Sequence, residues 1–251
     1  MIDITNLFGL PRTAIGVISP VAGSDTMPHG LYRLLGPDYI VISTSLALQS
    51  FKAHDLDRAI AAIDGQLAHL KSRGADIILQ SGTPLALSLG PQGLEHFIAR
   101  LRKQCELPVL SSALNAVAAA QAVKARRVVV ANKWNADINC RLKDFFQHWD
   151  IDVIGGAADA QEPLAFQSAD LRKSAELAYR LGRDALRREP QADALFIGGG
   201  AWFAEPAADA LEREFGKPVI TPLNGAVRAL LKELGHWRPF SPGHGRVLEA
   251  E

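Results

Sequence analysis

Two apolar runs in this chain end in glycine, and the residues around those ends are the ones that could do chemistry. Asp76-Ile-Ile-Leu-Gln-Ser-Gly-Thr-Pro84 brings Ser81, Gly82 and Thr83 to the end of one run, and Ala194-Leu-Phe-Ile-Gly-Gly-Gly200 brings Gly198, Gly199 and Gly200 to the end of the other. A strand that stops in glycine and restarts as a helix presents bare backbone N–H groups, which suit a carboxylate. Ala201 and Trp202 extend the second set of N–H groups, and Glu205-Pro206 opens the helix beyond. Glu205 reads either as a proton-transfer group or as an acid favoured by the helix dipole. Lys133, after the run Arg127-Val-Val-Val-Ala131, is a general acid/base if desolvated and otherwise a solvated loop lysine. Ser111-Ser112 and Thr221 end strands, where a hydroxyl serves as a carboxylate ligand or as an N-cap. Pro20 and Gly23 lie in Ser19-Pro-Val-Ala-Gly-Ser24, either a ligand-contacting loop after the first strand or an ordinary turn. His29, His54 and His244 are loop histidines, on the surface or folded over a cleft. Cys105 and Cys140 have no metal-ligand spacing and sit away from strand ends, as small hydrophobes do.

The elements that must position these groups alternate. Strands are predicted at 13–19, 38–43, 77–79, 107–110, 127–131, 151–154, 194–197 and 218–221. Helices are predicted at 56–73, 92–104, 113–123, 137–149, 169–188, 206–215 and 223–234. Residues 19–24 read as a turn, 44–55 as a loop, 155–169 as an irregular connection and 236–251 as a loop-like tail. Such alternation implies parallel sheets covered on both faces. The order also repeats. Ala75-Asp-Ile-Ile-Leu-Gln-Ser-Gly-Thr83 answers to Ala192-Asp-Ala-Leu-Phe-Ile-Gly-Gly-Gly200, and Leu107-Pro-Val-Leu to Lys217-Pro-Val-Ile. The expected fold is therefore α/β, with two pseudo-symmetric, Rossmann-like half-domains: residues 1–124 with the tail 235–251, and residues 125–234. The site is expected in the cleft between them, where Gly82 and Gly199 are equivalent.

Composition narrows the function classes. Hydrophobic residues make up 48% of 251 and charged residues 22%, so a packed core is expected rather than disorder. Lys+Arg and Asp+Glu balance at 27 each, which gives no basic surface for nucleic acid. No apolar run reaches bilayer length and no signal peptide is visible, so a cytoplasmic protein without a membrane partner is expected. The alanine-rich helix at 113–123 permits close packing and is the expected dimer surface.

The chain resembles the Asp/Glu racemase superfamily, most closely its arylmalonate decarboxylase and maleate isomerase branch. The resemblance rests on Ile15-Gly-Val-Ile-Ser-Pro-Val-Ala-Gly23, Ser81-Gly-Thr-Pro84, Ser111-Ser-Ala-Leu-Asn115, Val130-Ala-Asn-Lys-Trp-Asn-Ala-Asp-Ile-Asn139, Gly198-Gly-Gly200 and Pro242-Gly-His-Gly-Arg-Val247. It covers nearly the whole chain. It implies a homodimer and no cofactor. It also implies that racemases and isomerases of the group carry one cysteine in each half, at positions corresponding here to Gly82 and Gly199. Thr83 stands in the family's Asn/Thr binding position, with Ser81 beside it. Asn132, Lys133 and Trp134 stand where the family contacts ligand: Asn132 for a carboxylate, Trp134 as a wall.

Without thiols, two-cysteine chemistry is not expected. The reading that follows is a cofactor-independent lyase acting next to a carboxylate, in first place a decarboxylase of a small acid, with or without an aryl group. Ser81, Thr83, Lys133 and Glu205 are its candidate catalytic groups. Pro20, Gly23, Gly82, Ser112, Asn132, Trp134, Gly199, Gly200 and Ala201 are its candidate substrate contacts. An isomerase using Ser81 and Glu205 as acid and base, or a member that binds a carboxylate without turnover, remain alternatives.

Overall fold

The computed structural model describes residues 10–21, 26–166 and 170–251. Strands β1 (Thr13–Ser19), β2 (Tyr39–Ser45), β3 (Ile77–Gln80) and β4 (Val109–Ser111) form one sheet, in the order β2-β1-β3-β4. Strands β5 (Arg127–Asn132), β6 (Asp152–Ala158), β7 (Ala194–Ile197) and β8 (Val219–Ile220) form a second, β6-β5-β7-β8. Every pairing is parallel. The identical orders make β3 the counterpart of β7. They also put the switch in strand order, where successive strands begin to be added on the other side, at β1/β3 and at β5/β7, the places where open α/β sheets bind ligands beyond their strand ends.

The crossovers are α1 (Thr26–Leu35), α2 (Ala53–Ser72), α3 (Thr83–Ser88), α4 (Gly90–Cys105) and α5 (Ser112–Ala122), then α6 (Ala136–Gln147), α7 (Pro163–Phe166), α8 (Leu171–Arg188), α9 (Glu205–Phe215) and α10 (Pro222–Glu233). The tail carries α11 (Arg246–Glu249). Strand alternation decides which face each helix covers. Ile15, Val17, Ile77 and Leu79 of the first sheet meet Met27 and Leu31 of α1, but also Leu223, Val227 and Leu230 of α10. Val129, Leu195 and Ile197 of the second sheet meet Leu181 of α8 and Leu211 of α9. The remaining faces share one core, in which Ile78, Ile63 and Leu94 of the first half join Val128, Val130 and Phe196 of the second, with Ala113, Ala116 and Ala120 of α5 among them. Each fully buried aliphatic or aromatic side chain here contributes about 1.5–3 kcal/mol relative to exposure. Helix α10, which follows the last strand of the second sheet, thus covers the first sheet, and the two halves are clasped rather than merely adjacent.

Several elements differ from the sequence reading. Residues 26–35 form a helix where none was predicted, because Pro28 and Gly30 inside it weaken the helical signal. Gly30 is needed there: a Cβ would stand 2.3 Å from Leu223 Cδ2. Strand β6 runs on through Gly155 and Gly156 into the expected irregular connection; an edge strand tolerates such glycines, and Gly156 lies so close to β5 that a Cβ would meet the Val130 carbonyl oxygen at 2.7 Å. Short helices α3, α7 and α11 are too brief to show a period. The alanines Ala113, Ala116, Ala119 and Ala120 are buried inside the chain, so that face of α5 is not an open surface for a second copy. No helix among the described residues is long and apolar enough to cross a membrane.

The α5–α10 contact is testable with two glycines. A Cβ on Gly225 of α10 would lie 3.3 Å from the backbone oxygen of Asn115, whereas nothing stands within 4 Å of one on Gly65 in α2. Gly225→Val is expected to lower unfolding free energy by about 1–3 kcal/mol through overpacking. Gly65→Ala is expected to raise it by about 0.5–1 kcal/mol through helix propensity. Urea unfolding midpoints read both signs.

Candidate functional site

Each glycine-ended strand makes the same turn. Ser81 still donates its N–H to Ile18 O of β1 at 3.0 Å, and then Gly82, at φ 107°, turns the chain into α3. In the second half Gly198 donates to Ala131 O of β5 at 2.9 Å, and Gly199 turns at φ 101°. L side chains rarely adopt these angles, so glycine is the residue that makes both turns without strain. The two turns meet across the cleft. Thr26 Oγ1 donates to Gly200 O at 2.6 Å, and Ser81 Oγ lies 3.6 Å from where a Cβ on Gly200 would stand.

Between them lies a small chamber. Pro20, Ser81, Gly82, Thr83 and Pro84 line it from the first half and Trp134, Gly199, Gly200 and Ala201 from the second. Val17, Val21, Met27, Leu48 and Leu85 give it an apolar wall. Its volume is about 50 Å³, room for a few water-sized molecules at about 10–15 Å³ each. The hydroxyls of Ser81 and Thr83 belong to residues only 6% and 3% exposed, yet neither is hydrogen-bonded to protein among the described residues. No Asp, Glu, His, Lys, Arg, Cys or Tyr is among the described residues that line the chamber.

The other candidate residues go elsewhere. Asn132 is fully buried and does not line the chamber. Its Oδ1 accepts the Trp134 N–H at 3.0 Å, and its Nδ2 donates to Asn139 Oδ1 at 2.6 Å, so both ends are engaged in holding Trp134. Ser112 is buried in the first turn of α5, outside the chamber lining, with its Oγ unpartnered among the described residues. Lys133 is 4% exposed, with its ammonium 5.1 Å over the Trp202 ring. Burial pushes its pKa down to about 8, against the pull of nearby Asp159. Glu205 lines a different cavity of about 450 Å³, beside His29, Arg33 and His244. Burial raises its carboxyl to about 7, opposed by its own and the Ala204 backbone N–H groups. Ser81 and Glu205 therefore do not share a cavity. Gly23 lies outside the described residues. His54 is exposed beside Asp55 at 3.7 Å.

The sequence reading missed Met27, Leu48 and Ser43 of the lining. Leu48 is carried in by a zipper of two loops, its N–H donating to Pro20 O at 2.8 Å. The nearest signal was Phe51 in the segment read as a covering loop; Phe51 also lines the chamber.

The Lys133 amine gives a pH prediction with a definite sign. Its folded pKa of about 8 lies below the ordinary 10.5. The unfolded chain therefore binds the extra proton between these values, and stability rises with pH across pH 8 to 10.5. Lys133→Met is expected to remove a rise of up to about 3 kcal/mol, read as the difference in urea midpoints between variant and parent across that window.

Comparison with known proteins agrees with this geometry. Residues 15–248 match the arylmalonate decarboxylase family profile. The arylmalonate decarboxylase of Bordetella bronchiseptica is 23% identical over 239 residues, covering 94% of this chain and 96% of that protein. A liganded double mutant of arylmalonate decarboxylase superposes with TM-score 0.82 at 22% identity, covering 94% of this chain and 98% of its own. A variant of the maleate isomerase Iso from Pseudomonas putida S16, solved with maleate, gives TM-score 0.82 at 21% identity, over 95% and 98%. These solved structures carry the fold: two four-stranded parallel sheets. Because the profile spans both sheets and the tail, the chain belongs to the arylmalonate decarboxylase family.

Proposed function

We propose that this protein is a cofactor-independent lyase that removes one carboxyl group from a small malonate-type acid. The observation that supports this most directly is the pair of hydroxyls on Ser81 and Thr83, which have no hydrogen-bond partner among the described residues and belong to the lining of a mostly apolar chamber that also includes the bare Gly199–Gly200 backbone. One substrate carboxylate is held by those hydroxyls. The other lies against Val21, Met27 and Leu48, where loss of hydration favours its departure as neutral CO2. As the C–C bond breaks, its electron pair passes to the α-carbon and on to the retained carboxylate. The resulting enediolate carries its charge on oxygens hydrogen-bonded in a low-dielectric site. One proton, from water, then adds to the α-carbon and completes the balance: dicarboxylate plus proton gives monocarboxylate plus CO2.

In this reading Gly82 and Gly199 occupy the positions of the family's cysteines. Lys133 acts from outside the chamber as a nearby positive charge behind Trp202, and Glu205 takes no direct part. A second reading, a member that binds a carboxylate without turnover, is favoured by the lack of an ionisable side chain among the described lining residues. The isomerase reading needs a proton donor and acceptor on opposite faces of one carbon, and no such pair shares the chamber among those residues.

Incubation with dimethylmalonate in deuterated water separates these readings. CO2 release with one deuterium at the α-carbon is expected. Exchange of a monocarboxylate's α-proton without CO2 release would replace the lyase with racemase-type chemistry, and binding without either reaction would establish the carboxylate binder. Thr83→Val keeps the shape and removes the hydroxyl, and is expected to lower kcat/KM by roughly 10²–10³-fold with little change in Tm. Gly199→Cys restores an acid to the chamber. A Cβ there meets nothing nearer than 3.6 Å, whereas one at Gly82 would meet Pro20 at 2.9 Å. Gly199→Cys is expected to raise CO2 release by roughly 10²-fold, at a cost of about 1–2 kcal/mol for its left-handed backbone, visible as a lower Tm.

A further inference from the structure

One large side chain takes up the space beside the second glycine turn. Trp134 is 2% exposed and its indole lies where side chains on the second glycine turn would otherwise be. A Cβ on Gly198 would stand 2.6 Å from Trp134 Cη2, and one on Gly199 3.7 Å from its Cζ2. The space that remains beside the indole is about 50 Å³.

The backbone that carries this indole is held on both sides. Its N–H donates to Asn132 Oδ1 at 3.0 Å, and its carbonyl accepts from Asn139 Nδ2 at 3.0 Å. Asn132 and Asn139 are joined to each other by bonds of 2.6 and 3.2 Å. The surface it presses against is braced as well, since Trp202 Nε1 donates to Gly198 O at 3.1 Å. An arrangement with this many fixed partners resists displacement by a ligand.

We propose that Trp134 is the specificity-determining residue of this site, that it confines the chamber to short aliphatic acids and excludes aryl-substituted ones, and that Asn132 is its positioning residue. The proposal rests on the reading of the chamber as a carboxylate site and adds the substrate class to it. It gives Asn132 a role in setting the wall rather than in touching the ligand. It also separates this chain from the aryl group in its family's name, on the ground of the wall that the indole forms at the second glycine turn.

Binding of the product-type acids propionate and phenylacetate tests the idea without requiring turnover. Dissociation constants are measured by isothermal titration for the parent chain, Trp134→Ala, Trp134→Leu and Asn132→Ala. The parent is expected to bind propionate at least about tenfold more tightly than phenylacetate, the scale on which apolar pockets discriminate by size. Shortening Trp134 is expected to reverse that preference by improving phenylacetate binding about tenfold or more. The leucine variant reports where the alanine variant does not fold. Asn132→Ala is expected to narrow the ratio toward one, which a residue needed only for stability would leave unchanged. A parent that binds both acids equally, or a preference unmoved in a folded Trp134 variant, overturns the proposal while leaving the carboxylate site in place. Failure of every folded variant to bind either acid overturns the carboxylate reading, and the size rule with it.

Discussion

The close contact of α5 with α10 is the constraint on which the rest depends. Both helices begin where a strand has just ended, one in each half, and α10 covers the first sheet. Glycine and alanine at the contact bring the backbones together: a Cβ on Gly225 would already be 3.3 Å from the Asn115 carbonyl oxygen. That contact brings the β3 and β7 ends to face each other, so two glycine turns that would each be shallow cradles become opposite walls of one chamber. The two helix starts are not equivalent. At α10, Thr221 Oγ1 accepts the Asn224 N–H and Asn224 Oδ1 accepts the Thr221 N–H, a closed capping box. At α5 the helix begins at Ser112, and Ser112 Oγ and Asn115 Nδ2 find no partner among the described residues. The repeat is thus symmetric in topology and asymmetric in its polar detail, as is the chamber, whose hydroxyls come from the first half and whose indole comes from the second.

The parts of this arrangement legible in the sequence were those that follow from local patterning. A short apolar run followed by glycine and a helix start announces a buried parallel strand with an open end, and its recurrence at Gly82 and Gly199 announced the two halves. Ser81, Thr83 and Gly200 were named from that logic and Trp134 from the family resemblance, and all four line one chamber. Residues whose surroundings are set by long-range packing were not legible. Glu205 follows the glycine turn by only a few residues, but α9 carries it to the second cavity, beside His29 and Arg33 of α1. Since α1 is weakened in sequence by Pro28 and Gly30, that cavity had no visible second wall. Asn132 sits next to the right residues, yet its hydrogen bonds to Asn139 and Trp134 are a tertiary fact that residue type alone does not reveal. The alanines of α5 signalled close packing correctly, but not that the partner lay in the same chain.

The same indole that limits volume also sets the electrostatics of the chamber. Excluding water lowers the local dielectric, and each hydrogen bond to a developing negative charge gains strength there. With Ser19, Ser43, Ser81 and Thr83 hydroxyls and backbone groups to offer, and no charged side chain among the described lining residues, the proposed chemistry depends on a low dielectric to strengthen those neutral donors. A larger opening would admit larger acids but also more water, which would hydrate the departing carboxylate and weaken the push toward CO2. In the proposed reading, size exclusion and reactivity are two consequences of one wall. Lys133 stands outside that lining, its ammonium 5.1 Å over the Trp202 ring and its pKa lowered by burial to about 8. A chain that has no thiol at either glycine turn can still favour bond cleavage this way, because cleavage needs desolvation and a place for the charge, while only the final protonation needs an acid.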